Sequence, residues 1–297
     1  THMAEKWTPK HLAKTILILE KNAFPTLGAY PIHEIKPRQI LEMLRSIEQR
    51  GVYVTARKVF QWTGSVFRFA IATDRAETDQ TLACKGALKT RPVQHMARIS
   101  EKELPELFAK INAYEGEVLT QFALRFMALT FVRTGEMISA EWVEIDHEKS
   151  EWRIPAERMK MKAVHIVPLS QQTLRLLDEL KQYTGCSRYL FASPRSTQKH
   201  ISNNTVLYAL YRMGYHGRMT GHGFRGLAST ILNERGFRAD VIERQLAHSE
   251  RDGVRAAYNH AEYLPERRIM MQAWADLLDS LIKQRTTVSS THNSTKS

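Results

Sequence analysis

The sequence predicts a mostly α-helical protein of two domains, the second of which also contains a small antiparallel sheet. Three observations support this fold class. Apolar residues recur at helical spacing along most of the 297 residues. Two short runs rich in β-formers, 152–154 and 165–167, lie close together and indicate a hairpin. A polar stretch that ends at Pro92 separates two regions of helical pattern, which indicates a linker.

The first domain, residues 4–92, is predicted to be a helical bundle. Helices are expected over 7–21, from Pro37 onward and over 53–72, with a loop at 25–31. In the third helix, five residues are expected on the buried side: Val59, Trp62, Val66, Phe69 and Ala70. The opposite side carries three basic residues: Arg57, Lys58 and Arg68.

The second domain, residues 97–283, is predicted to combine helices with the hairpin. Ser100 and Glu103 have the spacing of a capping box, and 117–132 is a strongly apolar helix. Further helical patterns cover 170–182, 203–213, 222–235, 239–247 and 265–283. Residues 284–297 are rich in Ser and Thr and are predicted to be a disordered tail.

The charge of the chain points to a polyanionic partner. Lys and Arg number 43 against 31 Asp and Glu, so the formal net charge is +12. The excess is shared, with net +7 in residues 1–96 and +5 in the rest, which suits a clamp on a nucleic-acid duplex. A merely solvated basic surface is the alternative. Hydrophobic residues at 43% exclude a wholly disordered chain.

Three further features indicate the cellular location of the protein. No apolar run is long enough to span a membrane, and the start lacks the pattern of a signal peptide. The two cysteines, Cys84 and Cys186, form neither a disulfide framework nor a zinc cluster. We therefore expect a protein of the reducing cytoplasm.

Five local signatures in the second domain could carry chemistry. They are Arg133 at the end of an apolar helix, Lys160 in the hairpin, His222 with Arg225 one helical turn later, His248 at a helix end, and Tyr258 flanked by small residues. Each alone has an ordinary structural interpretation: a surface arginine, a solubilising lysine, a cap, or a half-buried tyrosine. Tyr263 is assigned that last role.

Together, the signatures match the groups needed for metal-free attack on a phosphodiester. A tyrosine hydroxyl can be a covalent nucleophile. Two arginines can neutralise the charge on the phosphate as the attacking oxygen approaches. A lysine can protonate the leaving oxygen, and histidines can move protons or donate hydrogen bonds.

This ordered set resembles the tyrosine recombinase (phage integrase) family, most closely the integrases of prophages and genomic islands. The residues that carry the resemblance lie in Phe-Val-Arg133-Thr-Gly-Glu, the hairpin with Lys160, His222-Gly-Phe-Arg225, Leu-Ala-His248 and Ala-Ala-Tyr258-Asn. The resemblance covers roughly 4–283. It implies that the first domain is a core-binding domain that clamps DNA and that the second is catalytic.

The resemblance also implies a role for each residue. Tyr258 would attack the scissile phosphate and form a 3′-phosphotyrosyl bond, while Arg133 and Arg225 bind its oxygens. Lys160 would protonate the 5′-oxygen, and His222 and His248 would assist in roles that the sequence leaves open. Neither a metal nor another cofactor is implied. Arg57, Lys58 and Arg68 are the candidates for DNA contacts, with a solvated helix face as the alternative.

The sequence departs from the family pattern in two places. Gly226 follows the second arginine where many members have His, and Ala247 precedes the last histidine where many have Gly. Neither change removes a catalytic group. Such integrases usually begin with an arm-binding domain, which we expect this sequence to lack, since Thr1, His2 and Met3 resemble a cloning remnant.

The implied partners are double-stranded DNA at the attachment-site core and further copies of the chain. Family members exchange strands as a tetramer through a four-way junction, and we expect a monomer without DNA. DNA-bending and excision proteins are the expected accessory partners. The apolar side of the last helix could dock on a neighbouring protomer or pack on its own domain; it comprises Met270, Met271, Trp274, Leu277 and Leu278.

Three alternative functions remain open on the sequence. A type IB topoisomerase-like nicking-closing enzyme would use similar chemistry. A catalytically silent DNA-binding regulator would keep the fold. A metal hydrolase using His222, His248 and His260 is disfavoured because no carboxylate lies at ligand spacing beside them and Arg225 would repel a cation.

Overall fold

The computed structural model describes residues 7–89, 97–159, 162–248 and 262–293, with side chains up to residue 283. The chain divides into two compact units, Thr1–Gln94 and His95–Ser297. Each unit has its own hydrophobic core. Within the described residues, no helix is both long and apolar enough to cross a membrane.

The first unit is helical. It contains α1 (Pro9–Asn22), α2 (Phe24–Leu27), α3 (Pro37–Gln49) and α4 (Tyr53–Ile71), with 3₁₀ turns at Ile32–Glu34 and Leu82–Cys84. The hydroxyl of Thr8 caps α1 by accepting from the backbone N–H of His11. The one-turn helix α2 overlaps the start of the predicted 25–31 loop, since Pro25 is compatible with a first helical turn.

The core of the first unit lies between α3 and α4. Helix α3 contributes residues that are essentially inaccessible to solvent: Ile40, Met43, Leu44 and Ile47. They pack with three residues of α4: Ala56, Val59 and Phe67. Both helices therefore present one apolar stripe to the same core.

The predicted buried side of α4 is partly wrong. Val66 and Phe69 are exposed, at 49% and 41% of their surface, whereas Thr63 and Phe67 are buried. The buried positions 56, 59, 63, 67 and 70 follow a three-and-four spacing, with Gly64 also buried beside Thr63. The apolar residues around them are too evenly spread to show this phase from the sequence alone.

The second unit is built around a central apolar helix. The capping box at Ser100 is present, with the Ser100 N–H donating to Glu103 Oε2 at 2.9 Å, and leads through a 3₁₀ turn into α5 (Leu104–Asn112). The central helix is α6 (Val118–Thr130), which packs against α5, α8 (Gln171–Thr184) and the last helix. Its burial on most sides explains its mostly apolar sequence.

A three-stranded antiparallel sheet contains the predicted hairpin. Its strands are β1 (Ile145–Asp146), β2 (Glu151–Ile154) and β3 (His165–Pro168), in the order β1-β2-β3. Trp152 pairs with Ile145 on one side and Val167 on the other. The predicted fold class, mostly helical with a small antiparallel sheet, is confirmed.

A second sheet was not predicted. It pairs β4 (Ala192–Ser193) with β5 (Ser196–His200). The sequence of β5, Ser-Thr-Gln-Lys-His, has no apolar residue and therefore no alternating pattern to signal a half-buried strand.

The remaining helices complete the second unit. The short α7 (Thr134–Ile138) follows α6, and α9 (Thr205–Leu210) continues into a π turn at Tyr211–Tyr215. Three further helices are α10 (Gly221–Glu234), α11 (Ala239–Gln245) and α12 (Leu264–Asn293).

Helix α12 differs from prediction at its end. It continues beyond residue 284, where the sequence predicts a disordered tail, because a formed helix extends at low cost and neither Gly nor Pro interrupts it. Its apolar side packs on its own unit. Met270, Met271 and Trp274 are buried there, and Trp274 Nε1 donates to the Ala128 carbonyl at 2.9 Å.

Candidate active site

Four of the six predicted catalytic residues are among the described residues: Arg133, His222, Arg225 and His248. Lys160 and Tyr258 lie outside them. The four come from three separate parts of the second unit: the junction between α6 and α7, helix α10, and the turn after α11.

Arg133 follows an abrupt end to α6. Phe131 takes up a left-handed backbone conformation with φ of 38°, and Arg133 then serves as the N-cap of α7 in extended conformation. The carboxylate of Glu136 accepts from the Arg133 backbone N–H at 3.0 Å and from Nη1 at 2.6 Å. This buried carboxylate holds one edge of the guanidinium, while 29% of the Arg133 side chain stays exposed.

Arg225 is almost completely buried on α10. Its Nη1 donates to the Phe131 carbonyl at 3.0 Å and its Nη2 donates to the Leu246 carbonyl at 2.6 Å. Burial lowers the pKa of Arg225 to about 10, and the positive charge of Arg133 acts in the same direction. The guanidinium is therefore charged at neutral pH and rigidly held.

His248 is held from both sides. Its Nε2 lies 3.2 Å from Arg225 Nη2, and its Nδ1 lies 2.6 Å from Glu243 Oε2. Because a guanidinium can only donate, Nε2 of a neutral ring must accept, and the ring proton lies on Nδ1 and is donated to Glu243. Glu243 is therefore a candidate member of the site that the sequence analysis did not single out.

The turn after α11 connects these side chains. The carbonyl of Leu246 accepts from Arg225, and the carbonyl of the next residue, Ala247, accepts from Arg133 Nη2 at 2.9 Å. His248 follows directly. Two candidate catalytic arginines thus bond consecutive carbonyls of one turn, and the next residue of that turn is the candidate catalytic His248.

Ala247 explains one departure from the family pattern. Its φ is 48°, in the left-handed region, and the His248 N–H donates to the Glu243 carbonyl while the Ala247 N–H donates to that of Arg244. This is a Schellman motif with Ala247 at C′, the position where Gly is commonest because it has no Cβ to strain. The turn whose Ala247 carbonyl accepts from Arg133 therefore forms without glycine, at a cost in backbone strain.

The other departure is explained by Arg98. Its Nη1 donates to the Gly226 carbonyl at 2.6 Å and to Thr230 Oγ1 at 2.8 Å. A Cβ at Gly226 would lie 3.2 Å from that nitrogen. The Arg98 side chain thus covers the place where many family members have a histidine.

His222 lies one turn before Arg225 on α10 and is exposed. Partial loss of hydration lowers its pKa, and the positive charges of Arg225, His248 and Arg133 lower it further. Its imidazole is therefore mostly neutral at neutral pH, in a region whose positive charge suits a phosphate.

A metal centre is not apparent in the part of the chain that the structure describes, where no cluster of three His, Cys, Asp or Glu side chains has the geometry to hold an ion. Sequence spacing gave no carboxylate ligand beside the histidines, but in the fold Glu243, five residues before His248, contacts its ring. That carboxylate accepts a hydrogen bond from Nδ1 of His248, and Arg225 donates a hydrogen bond to Nε2. Both ring nitrogens of His248 are therefore engaged.

The candidate DNA contacts lie on the exposed side of α4. Arg57 and Lys58 are exposed, and Arg68 follows about three turns later. Arg68 already interacts with Asp79 at 3.4 Å and with the hydroxyl of Ser65 at 3.0 Å. Arg57 and Lys58 are therefore the stronger candidates, and their contact with DNA stays a prediction.

Comparison with known families matches both units. The model described as phage integrase central domain matches residues 1–87, and the model described as phage integrase family matches residues 97–264. The chain belongs to the phage integrase family and is a tyrosine recombinase. Arg133, His222, Arg225 and His248 lie within the second matched region.

Its relatives include integrases of phages and prophages. The integrase of Enterobacteria phage P4 is 40% identical over 291 residues, which cover 93% of this chain and 66% of the relative. The prophage integrase IntS of Escherichia coli K12 is 35% identical over 283 residues, which cover 95% of this chain and 74% of IntS. The chain thus spans about two thirds to three quarters of their length.

Solved structures share the fold. A lambda integrase (75–356) dimer bound to a COC′ core site superimposes with a TM-score of 0.68 at 19% identity, covering 87% of this chain and 91% of that one. The Tn1549 transposon integrase in complex with circular intermediate DNA gives 0.64 at 17% identity, covering 91% and 95%.

Proposed function

We propose that this protein is a site-specific DNA recombinase, an integrase that cleaves and rejoins DNA through a 3′-phosphotyrosyl intermediate to integrate or excise a mobile element. The observation that carries the proposal is the convergence of Arg133, Arg225 and His248 on the turn after α11. Two charged guanidiniums held within one small region form a binding site for a phosphate.

The arginines supply electrostatic stabilisation. Arg133 is anchored by Glu136 and partly exposed, and Arg225 is fixed by two carbonyls. Donors that are held in place before the reaction do not have to reorganise as charge develops on the phosphate oxygens. This pair therefore suits the transition state of phosphoryl transfer better than the ground state.

The covalent step needs a nucleophile and an acid. Tyr258 forms a bond from its oxygen to phosphorus, and the bond from phosphorus to the 5′-oxygen breaks. Lys160 gives its proton to the 5′-oxygen, while a neutral His222 accepts the tyrosine proton, because the one acceptor nitrogen of a neutral His248 ring is already bonded to Arg225. Free tyrosine has a pKa near 10, so it requires such an acceptor at neutral pH. Attack of a partner 5′-hydroxyl reverses the step, and no metal or ATP is consumed.

The two units have different roles in this proposal. Residues 4–92 serve as the core-binding domain and contact the DNA backbone through Arg57, Lys58 and Arg68, and residues 97–283 serve as the catalytic domain. The net charge of +12 supports a DNA partner. A structural neighbour is a lambda integrase tetramer bound to a Holliday junction, which supports a tetramer of this chain on DNA, with DNA-bending and excision proteins as accessory partners. The enzyme acts in the cytoplasm, where its DNA substrate lies.

Two alternatives use related features. A type IB topoisomerase-like enzyme would relax any supercoiled plasmid, because it needs no paired sites. A silent regulator would bind DNA without cleaving it. Hydrogen bonds hold the side chains of Arg133, Arg225 and His248 in place before DNA binds. This favours an enzyme over the regulator, since DNA binding alone does not require a preorganised phosphate site.

A plasmid assay separates the three functions. The protein is incubated, with and without EDTA, with a plasmid carrying paired attachment sites and with a supercoiled plasmid carrying none. Recombinant products from the paired sites alone, unaffected by EDTA, are expected. Equal relaxation of the plasmid without sites would favour the topoisomerase-like activity. Site-specific binding with no DNA product would favour the regulator.

A further inference from the structure

Arg267 is a buried charged side chain that the proposed mechanism does not use. It lies in the first turns of α12 and has no surface accessible to solvent. Burial lowers its pKa to about 10, and the nearby charge of Arg244 adds to this effect. A guanidinium fully removed from water is costly unless its donors are satisfied, so its contacts show what holds it there.

The donors of Arg267 reach three separate segments. Nε and Nη2 both donate to Gln245 Oε1, at 3.0 and 2.8 Å. Nη2 also donates to the Ile166 carbonyl of β3, and Nη1 donates to the Glu262 carbonyl at 3.2 Å. One planar side chain therefore connects the end of α11, strand β3 and the residue two positions before α12.

Each of these segments leads to a proposed catalytic group. Gln245 comes three residues before His248 and begins the turn that binds Arg133 and Arg225. Ile166 comes six residues after Lys160 along the hairpin. Glu262 comes four residues after Tyr258, so the backbone on the far side of the nucleophile is tied to Arg267.

The surrounding contacts support the same junction. His165, next to Ile166, is buried and forms a hydrogen bond with the backbone of Gln245. Glu262 also pairs with Arg244 of α11, and its Oε2 lies 3.6 Å from Arg267 Nη1. These contacts join β3, α11 and Glu262 a second time, with Arg267 at their centre.

We propose that Arg267 is a positioning residue for strand cleavage: it fixes strand β3, the end of α11 and Glu262 relative to one another, and these are the described parts of the chain that lie next in sequence to Lys160, His248 and Tyr258. It has no exposed surface, so it does not contact DNA itself. This inference rests on the proposed function. A shift of about 1 Å in a reacting group can slow a reaction about 100-fold, so the loss of this junction acts on the rate of cleavage.

The test measures covalent protein–DNA adduct formation by the full chain on a nicked attachment-core duplex at saturating DNA. The variants are Arg267→Met, which keeps length without donors, and Arg267→Lys, which keeps charge without the planar fork. The single-turnover rate is expected to fall roughly 10–100-fold in Arg267→Met and less in Arg267→Lys, with the DNA dissociation constant within about twofold of wild type.

Two controls separate positioning from stability. Arg268 is the exposed neighbour; it bonds the Lys149 carbonyl and Glu151 but none of the three segments, so Arg268→Met should cleave at the wild-type rate. Leu278→Ala removes a buried side chain of the same helix and should lower Tm without slowing cleavage at a temperature where it is folded.

The outcomes are distinct. An unchanged single-turnover rate in folded Arg267→Met would overturn the positioning role. An equal rate loss in Leu278→Ala, matched for Tm, would also overturn it and leave Arg267 a stabilising residue only. Absence of adduct with the wild-type protein would contradict the proposed function itself, and the positioning role with it.

Discussion

The Nε2 atom of His248 lies 3.2 Å from Nη2 of Arg225, so a candidate catalytic histidine and a candidate phosphate-binding group are in direct contact. Glu243 extends this contact, because it accepts from the opposite nitrogen of the same ring at 2.6 Å. The position of His248 is therefore set by Glu243 on one side and by Arg225 on the other.

Replacing Glu243 should weaken catalysis without weakening DNA binding. In Glu243→Leu the His248 ring loses the partner that fixes its orientation and tautomer, and one hydrogen bond of this kind corresponds to about a tenfold change in rate. Single-turnover cleavage on the nicked core duplex is expected to slow by roughly that factor. Asp240→Leu on the same helix, whose carboxylate pairs with Arg238 instead, is the matched control. Equal rates in the two variants would contradict a role for Glu243.

Ala247→Gly should stabilise the second unit. Alanine pays a steric cost at φ of 48° that glycine avoids, while glycine gives the unfolded chain more freedom. We expect a net gain of about 0.5–1 kcal/mol in the free energy of unfolding, measured by denaturant titration. Ala109→Gly within α5 is the control and should lose about 1 kcal/mol, because its backbone is helical. A loss of stability in Ala247→Gly would contradict the strain argument.

His165 should make the second unit less stable in acid. Burial lowers its pKa from 6.5 to about 3, and the charges of Arg267, Arg244 and Arg133 act in the same direction. As the pH falls below 6.5 the unfolded chain binds a proton that the folded chain excludes. Stability present at neutral pH is therefore lost progressively down to about pH 3, amounting to about 2 kcal/mol by pH 5.

The check compares the pH dependence of unfolding in His165→Gln and in the wild type. The variant is expected to lose less stability between pH 7 and pH 5, by about the same 2 kcal/mol, because its side chain does not titrate. His147→Gln, at an exposed position of the same unit, should follow the wild type. Parallel pH profiles for wild type and His165→Gln would show that another group causes the loss.

Arg57 and Lys58 should contribute to DNA affinity through phosphate contacts. The double variant Arg57→Ala/Lys58→Ala is expected to bind core-site and unrelated duplexes more weakly to a similar degree, and to reduce the slope of log affinity against log salt by about two. Arg38→Ala is the control, since Arg38 is 88% exposed but pairs with Glu42 on α3. A salt slope unchanged from wild type would mean that this side of α4 does not contact DNA.

The sequence predicted most of the fold because its signals are local. Helix starts at Pro37 and Ser100 and the hairpin at β2 and β3 depend on neighbouring residues, and all are present. The phase of α4 was predicted incorrectly for Val66 and Phe69, because the choice of buried side depends on packing against α3. The polar strand β5 gave no signal at all.

The candidate site was only partly accessible to sequence reasoning. His222 and Arg225 share a helix, so their proximity follows from spacing. Glu243 was missed because its contact with His248 depends on the left-handed turn at Ala247, which alanine does not indicate. Arg267 was missed because its partners lie 5, 22 and 101 positions away, and only the folded chain brings them together.

The role of Tyr258 as the nucleophile is tested most directly by covalent trapping on a nicked attachment-core duplex in the presence of EDTA, with wild type, Tyr258→Phe and Tyr263→Phe compared. We expect a 3′-linked protein–DNA adduct with wild type and Tyr263→Phe, and none with Tyr258→Phe, because Tyr258 supplies the attacking oxygen. An adduct that persists in Tyr258→Phe would contradict this role.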